Sequence, residues 1–364
     1  MVIFVNATAA SEIGGLKTIV DQFIDNISLY DAKNEYYIFI SPLYKPHNVP
    51  VNCKLIKKDA KKAFKRLYWD YFGMKNWSEK HNIIPQKIIS LQNTGVFFKG
   101  VQQTIYLHTP IPFVSYNWSI FKNDERPLWF YKKIYPYFIR STLSDNTNLI
   151  VQSNWLSDSV SKFFNISKER ILVNMPSIYQ YSNNSNKETD INSETELYFY
   201  PAADYKYKNH KIIIEALKLL KVNNDEKYKN VRVVFTLENT SSVYKLAKDQ
   251  GVLDSISFIG KLNRAEMSEM YQVSKAILFP SYIETFGLPL IEAASFGKSI
   301  YCSEEEYSNE VIGSYKGVEF INPFEAKDWQ NVFNYEYKEY EPFTHNQNYE
   351  SWKELFGRIN NEKC

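Results

Sequence analysis

Cysteine is scarce in this chain. The 364 residues include three cysteines, Cys53, Cys302 and Cys364, which lie far apart and show no paired spacing. A disulfide framework and a zinc site both need cysteines in sets, so this pattern argues against either and favours a reducing compartment.

Long hydrophobic runs are also lacking. No run of 18 apolar residues occurs, so we expect no membrane-spanning segment. Residues 1–5 have no basic region before them and predict a strand instead of a signal peptide. We therefore expect a cytoplasmic protein, either free or peripheral at the inner face of the plasma membrane.

Neither sign of charge is in excess. The chain has 43 basic and 41 acidic residues and a formal net charge of +2, which gives no reason to expect a nucleic-acid partner. Aromatic residues are abundant, at 16% with 28 tyrosines, and suit sugar-stacking surfaces, a membrane-facing belt or ordinary core filling. The length exceeds that of the usual single hydrophobic core, so two domains are expected.

Short apolar strands alternate with amphipathic helices in each half, a pattern typical of parallel βαβ units. The candidate strands are residues 2–5, 37–40, 88–91, 103–107, 149–152, 170–173, 197–200, 231–236, 256–259, 276–279 and 299–302. A polar stretch at residues 181–193 is the best linker. The sequence predicts an α/β protein with two Rossmann-like domains, residues 1–179 and 180–344.

The most informative segment is residues 280–297, PSYIETFGLPLIEAASFG. It predicts a loop containing Glu284 after a buried strand, then a helix that opens at Pro289 with Glu292 about one turn in. The backbone N–H groups of residues 286–288 are expected to form an anion site at the positive end of the helix dipole. Two carboxylates flanking such a turn suit a ligand that is part phosphate and part polyol.

Residues 279–297 resemble the signature of retaining GT-B glycosyltransferases, especially of family 4, in which two glutamates are separated by seven residues. The resemblance implies two Rossmann-like domains facing each other across a cleft. Residues 1–179 would form the acceptor side, residues 180–344 would bind a nucleotide sugar, and residues 345–364 would cross back to the first domain. The simpler alternative is an ordinary strand–loop–helix unit, with Glu284 solvated and Glu292 capping or pairing.

The resemblance also implies a role for each residue of this segment. Glu284 would be catalytic beside the transferred sugar, and Glu292 would bind the ribose hydroxyls. The turn of Phe286, Gly287 and Leu288 would hold the donor. A second turn, Gly260 and Lys261, would bind the nucleobase through its main chain.

The diphosphate of a nucleotide-sugar donor is negatively charged and needs a cation to neutralise it as it leaves. No Asp-X-Asp motif occurs, so no metal or other cofactor is expected. The segment around Lys208 resembles the family element whose lysine contacts the diphosphate. Many members carry an arginine six residues earlier, where this chain has Ala202. Lys206 or Lys211 is a candidate replacement for that cation, and a solvated helix start is the alternative for all three lysines.

Two elements of the first half fit the same family. Gly14 and Gly15 follow the first strand, where glycine lets the backbone approach the donor. His108 ends a later strand and resembles the histidine that contacts the donor sugar near the reaction centre. The alternative for His108 is a strand-end histidine satisfied by the backbone.

Together these features predict a hexosyltransferase that uses a UDP- or GDP-sugar and retains the anomeric configuration by a front-face mechanism. The expected acceptor is a saccharide or a lipid-linked oligosaccharide in capsule or O-antigen synthesis. A GT-B nucleotide-sugar 2-epimerase and a non-catalytic nucleotide-sugar-binding protein stay open as alternatives.

Two basic, aromatic stretches at residues 57–72 and 126–140 suit contact with an anionic membrane. On a helix, Ala60, Phe64, Leu67, Tyr68 and Tyr71 would share one side. A solvated lysine face over an ordinary core helix is an equally good interpretation.

Overall fold

The computed structural model describes residues 1–10, 15–46, 48–60, 63–176, 195–344 and 350–360. The chain divides into two compact units, Met1–Pro176 with Asn348–Cys364, and Ser177–Gln347. The predicted linker at residues 181–193, and the predicted boundary after residue 179, lie outside the described residues. No described helix is both long and apolar enough to cross a bilayer.

The first unit is built on a parallel sheet with the strand order β3-β2-β1-β4-β5-β6-β7 in its described residues. Its strands are β1 (Val2–Ala7), β2 (Glu35–Ile40), β3 (Cys53–Lys57), β4 (Lys87–Ser90), β5 (Gln102–Tyr106), β6 (Thr147–Val151) and β7 (Ile171–Val173). In central β1, Ile3, Phe4 and Val5 are all fully buried, because helices cover both faces of a parallel sheet and each face needs apolar side chains.

The helices of this unit are α1 (Gly15–Tyr30), α2 (Ala63–Tyr68), α3 (Met74–His81), α4 (Arg126–Lys133), α5 (Tyr135–Ser141) and α6 (Asn154–Phe164). A five-residue π-helical segment, Trp69–Gly73, joins α2 to α3. The buried stripe of α1 comprises Ile19, Val20, Phe23, Ile24 and Ile27, which recur at the three- and four-residue spacing of an amphipathic helix.

The second unit repeats the pattern with the order β10-β9-β8-β11-β12-β13 in its described residues, again all parallel. Its strands are β8 (Glu196–Tyr200), β9 (Val231–Phe235), β10 (Ile256–Phe258), β11 (Ala276–Phe279), β12 (Ser299–Ser303) and β13 (Val318–Ile321). Its helices are α7 (His210–Asn223), α8 (Asp225–Asn230), α9 (Ser242–Asp249), α10 (Arg264–Val273), α11 (Leu288–Ser295), α12 (Glu306–Ile312) and α13 (Ala326–Val332).

Each sheet has a point where the strand order reverses, between β1 and β4 in the first unit and between β8 and β11 in the second. In open α/β sheets, ligands bind beyond the carboxyl ends of the strands at this reversal. The loops that follow β1, β4, β8 and β11 are therefore the first places to look for a site.

The final helix, α14 (Glu350–Ile359), packs on the first unit, as predicted. Phe356 stacks on Phe23 of α1 with ring centroids 5.5 Å apart, and Trp352 lies 6.4 Å from the same ring. Lys87 at the start of β4 donates to the Ile359 carbonyl, so a cation lies at the negative end of the helix dipole.

The expected shared side of residues 60–71 is wrong. Phe64 is 87% exposed and Tyr68 is 59% exposed, while Trp69 and Asp70 are buried. Ala60 is buried but lies before α2, so it does not share the exposed side of Phe64 and Tyr68. The π-helical segment changes the helical spacing from Trp69 onward.

Candidate active site

Two loops of the second unit meet at its strand reversal. Ser281 and Tyr282 follow β11, and both hydrogen-bond to the Tyr207 carbonyl in the loop after β8: the Tyr282 amide donates at 3.0 Å and the Ser281 hydroxyl at 3.3 Å. Tyr307 of α12 donates its hydroxyl to the Ser281 carbonyl at 2.6 Å. These bonds fix the backbone just before the predicted glutamate and lysine.

Lys208 and Glu284 form an ion pair across these two loops. Their side chains are 17% and 14% exposed, so water screens the pair only partly. Lys208 ends a short 3₁₀ turn, Lys206–Lys208, and its carbonyl accepts a 2.6 Å hydrogen bond from buried Tyr200. The structure thus brings together two residues that lie 76 positions apart in the sequence.

The helix after this loop begins at Leu288, one residue before the expected Pro289, and Gly287 precedes it with φ of 91°. A Cβ atom at Gly287 would lie 3.2 Å from Leu290 and 3.3 Å from Tyr307, so both conformation and space require glycine here. Phe286 is buried, with 3% exposure. Pro289 has no N–H group and the Leu290 N–H donates to the Gly287 carbonyl at 2.9 Å. The expected anion site therefore depends on the N–H groups of residues 286–288, between the Glu284 loop and the first turn of α11.

Glu292 lies one turn into α11 and accepts a 2.9 Å hydrogen bond from the Tyr271 hydroxyl of α10. The side chain is half-buried. This contact agrees with the simpler interpretation in which Glu292 pairs within the fold, and it fixes the position of one carboxylate oxygen.

Gly260 and Lys261 follow β10, at the same edge of the sheet as the Lys208 loop, which follows β8. The loop after β9 lies between these two. Gly260 has φ of 73°, and its N–H donates to the Leu237 carbonyl at 3.0 Å. A Cβ atom there would lie 2.9 Å from the Glu238 carboxylate. The Lys261 side chain is exposed.

The position of the missing arginine is buried, since Ala202 is 8% exposed. Lys211 pairs with Glu215 along α7 at 3.2 Å, and that pair is 67% and 40% exposed. Lys206 is also exposed. Among the described residues, no group of three His, Cys, Asp or Glu side chains is placed to hold a metal ion.

In the first unit, His108 lies just beyond the carboxyl end of β5. Burial lowers the pKa of His108 to about 4, and the nearby positive charge of Arg66 acts in the same direction. Gly15 opens α1, and a Cβ atom there would meet nothing within 4 Å. Gly14 lies outside the described residues.

Sequence reasoning missed a buried polar cluster at the strand reversal of the first unit. The carboxylate of Asp70 accepts hydrogen bonds from Asn6 Nδ2 at 2.9 Å, Thr94 Oγ1 at 2.9 Å and Gln92 Nε2 at 3.2 Å. Asn93 contacts His108 beside it. One signal was available, because polar residues 92–94 directly follow the buried strand at 88–91.

The chain is similar in sequence to known glycosyltransferases. Residues 182–349 match the model of the family described as glycosyl transferases group 1. A curated relative, the O-antigen chain mannosyltransferase RfbU of Salmonella typhimurium strain LT2, is 26% identical over 230 residues, and the alignment covers 62% of each chain. The chain therefore spans under two thirds of that relative's length.

Solved structures show the same fold. WaaG, a glycosyltransferase involved in lipopolysaccharide biosynthesis, superposes with a TM-score of 0.66 at 15% identity over 99% of both chains. Anabaena HepE in complex with UDP and glucose gives 0.60 at 13% identity over 92% of this chain and 88% of the other. The prediction of two Rossmann-like domains is confirmed by these structures. Residues 182–349 are similar to the group 1 glycosyltransferase family.

Proposed function

We propose, on the premise that residues 182–349 are a glycosyl transferases group 1 domain, that the chain is a retaining hexosyltransferase of family 4. It moves a sugar from a UDP- or GDP-sugar to a saccharide or lipid-linked oligosaccharide without a metal ion. The observation that carries the proposal is the Lys208–Glu284 pair, held at the strand reversal beside the first turn of α11.

The leaving diphosphate carries the charge that this site must neutralise. In the proposal, the N–H groups of residues 286–288 and the Lys208 ammonium bind the diphosphate, and Lys208 then leaves its carboxylate partner. Glu284 is released to face the transferred sugar, where a carboxylate stabilises the oxocarbenium-like carbon. The ion pair therefore keeps both groups in place until the donor exchanges their partners.

The rest of the donor is assigned by the same logic. Glu292, held by Tyr271, binds the ribose hydroxyls. Main-chain groups at Gly260 and Lys261 bind the nucleobase, and Gly14 and Gly15 approach the donor from the first unit. His108 contacts the donor sugar near the reaction centre. Retention follows a front-face path in which the departing phosphate oxygen takes the proton of the acceptor hydroxyl.

The names of the relatives guide the choice of sugar and pathway. RfbU is an O-antigen chain mannosyltransferase, so we propose a role in bacterial surface polysaccharide synthesis, with nucleotide-linked mannose as the first donor to test. HepE was solved with UDP and glucose, so UDP-glucose is the second donor to test.

A thermal-shift screen against UDP-, GDP-, dTDP- and CMP-sugars, with and without EDTA, tests the donor site. A ligand at 100 times its dissociation constant stabilises by about 2.7 kcal/mol, which is a clear shift. We expect one nucleotide to give a shift that EDTA leaves unchanged and that Glu292→Ala weakens. No shift with any nucleotide would contradict the donor assignment.

Product analysis separates the remaining alternatives. A transferase consumes the donor only when an acceptor is present and forms an α-linked product from an α-linked donor. An epimerase converts the donor without an acceptor, and a binding protein leaves it intact.

We also propose that the protein lies peripherally at the inner face of the plasma membrane, through the exposed aromatic side chains of Phe64, Tyr68 and Phe72. These are 87%, 59% and 58% exposed. Lys58 lies before them in the sequence, and Lys65 lies between Phe64 and Tyr68. Aromatic rings beside lysines suit the interface of an anionic bilayer. A lipid-linked acceptor would be presented at that surface.

A further inference from the structure

Asn93 organises the end of β5. It follows β4, is 9% exposed and has φ of 68°, a left-handed conformation that asparagine tolerates better than most residues. Its N–H donates to the Tyr106 carbonyl at 3.1 Å. Its Oδ1 accepts from the backbone N–H groups of His108 at 2.7 Å and Thr109 at 3.0 Å.

These bonds fix which way the Asn93 carboxamide points. Because Oδ1 takes two N–H groups, the other end of the amide, Nδ2, is the group that lies 3.2 Å from His108 Nε2. An amide nitrogen can only donate. Nε2 must therefore present its lone pair, and a neutral His108 carries its proton on Nδ1.

We propose that Asn93 is a positioning residue that holds His108 uncharged, as the Nδ1-protonated tautomer. The tautomer follows from contacts inside the first unit, while its catalytic use rests on the proposed function. Positive charge develops on the anomeric carbon during sugar transfer. An imidazolium at this place would oppose that charge, whereas a neutral imidazole does not.

The surroundings act in the same direction. Burial and the Arg66 charge from α2 lower the pKa of His108, and the Tyr106 backbone opposes them only partly. Tyr135 of α5 also hydrogen-bonds to the Asn93 side chain, and Asp70 lies close enough to both Arg66 and Tyr135 to influence them electrostatically. With a pKa near 4, His108 is neutral at any pH where a cytoplasmic enzyme works.

The first test is the ¹⁵N spectrum of the histidine side chains in the intact native protein, with His108 assigned by its loss in His108→Gln. We expect the shifts of a neutral ring protonated at Nδ1, unchanged down to about pH 5. A proton on Nε2, or a ring that titrates near its ordinary pKa, would overturn the proposal.

The second test is Asn93→Asp. The carboxylate still accepts from the two backbone N–H groups, but its other oxygen can only accept, so it draws a proton onto Nε2. An adjacent carboxylate raises such a pKa by about 1–3 units. The His108 pKa should rise by that amount, and turnover should gain an acidic limb that falls about tenfold per pH unit below the new pKa.

Asn165→Asp is the matched control, since Asn165 is also left-handed, with φ of 56°, but is exposed at the end of α6. It should leave the His108 spectrum and the pH profile unchanged. If the Asn93 side chain does not contact the His108 ring, Asn93→Asp will change neither the His108 pKa nor the shape of the profile. The spectra test this inference even if no nucleotide sugar binds, so the two proposals fail separately.

Discussion

At the scale of single residues, the Lys208–Glu284 pair is the feature with the clearest energetic consequence. Lys208→Met leaves a carboxylate that is 14% exposed without its cation, whereas Lys208→Met with Glu284→Gln leaves no uncompensated charge. We expect the single variant to lose about 1–3 kcal/mol of unfolding free energy, and the double variant to lose less. Urea unfolding of the four proteins of this cycle measures both values.

Lys211→Met is the control for that cycle. Its ammonium pairs with Glu215 on an exposed face, so its loss should change the unfolding free energy by about 0.5 kcal/mol or less. Only Lys208→Met should also abolish the nucleotide-induced thermal shift. A loss in the double variant equal to the sum of the losses in Lys208→Met and Glu284→Gln would show that the pair contributes no coupling.

Asp70 gives a second prediction, on pH. Burial raises the pKa of this carboxyl to about 7, against about 3.9 in an unfolded chain. Between about pH 4 and 7 the native state therefore holds a proton that the unfolded state has lost. The unfolding free energy should fall as pH rises through this window, by up to about 1.4 kcal/mol per pH unit.

Asp70→Asn removes that titration, so the difference in stability between native protein and variant should change between pH 5 and pH 7.5. Asp158→Asn, at a side chain that is 62% exposed, is the control. A difference that stays constant with pH would mean that the hydrogen bonds from Asn6, Gln92 and Thr94 outweigh burial and keep Asp70 ionised.

At the scale of elements, the buried strands were predictable, as were the edge strands β7 and β10, whereas the other two edge strands were missed. Strands β1, β4 and β11 are apolar on both faces, so they stand out from the sequence alone. The missed strands, β3 and β13, lie at sheet edges where only partial burial is needed, and polar residues such as Lys54 and Glu319 interrupt their apolar pattern.

The candidate site divides in the same way. The Glu284 loop was predictable because it directly follows a buried strand, and Lys208 was predicted from the resemblance to a family element. The two come together because β8 and β11 are adjacent parallel strands, whose carboxyl ends meet. Asn93 and Asp70 were not assigned roles from the sequence. The role of Asn93 depends on its left-handed backbone and that of Asp70 on the π-helical turn, and hydrophobic periodicity indicates neither feature.

The first turn of α11 yields a prediction about backbone conformation. Gly287→Ala introduces a Cβ atom at φ of 91°, against Leu290 and Tyr307, and should cost about 1–3 kcal/mol of unfolding free energy. Gly15→Ala meets no atom within 4 Å at the start of α1 and should leave stability unchanged or raised.

Nucleotide binding by Gly15→Ala tests whether the backbone at Gly15 lies close to the donor. If the donor lies against this glycine, Gly15→Ala will weaken the nucleotide-induced thermal shift in a protein of native stability. An unchanged shift would assign Gly15 to helix initiation alone.

The segment around α2 yields a prediction about membrane contact. Phe64→Ser with Phe72→Ser removes two exposed rings and should lower partitioning to anionic vesicles roughly tenfold. Co-sedimentation with phosphatidylserine-containing and neutral vesicles measures this. Phe163→Ser, at a 47% exposed ring on α6, is the control, and equal partitioning of all three proteins would contradict the proposed contact.

At the scale of the whole molecule, the first unit is built from two segments of the chain that are separated by the second unit. The first unit contains both ends of the chain, since α14 packs into the core around Phe23. Residues far apart in sequence thus stabilise the same sheet, and Lys87 adds a polar bond from β4 to the last helix. The resemblance to GT-B enzymes predicted this return.

A pair of cavity-forming variants shows whether these units are also units of stability. Phe356→Ala removes a ring that is 1% exposed in the first unit, and Phe333→Ala removes one that is fully buried in the second. Each should cost about 3–5 kcal/mol. Hydrogen exchange resolves where that loss falls, because amide protection reports local and sub-global opening separately.

We expect Phe356→Ala to reduce protection in β1, β2 and β4 and to leave β8 and β11 unchanged, while Phe333→Ala gives the reverse. The reason is that each ring packs within its own unit, Phe356 on Phe23 and Phe333 edge-on to Tyr198 at 5.0 Å. If either variant lowers protection in both sheets equally, the chain unfolds as one cooperative body. The stability of the second unit would then be coupled to that of the first, in which α14 packs.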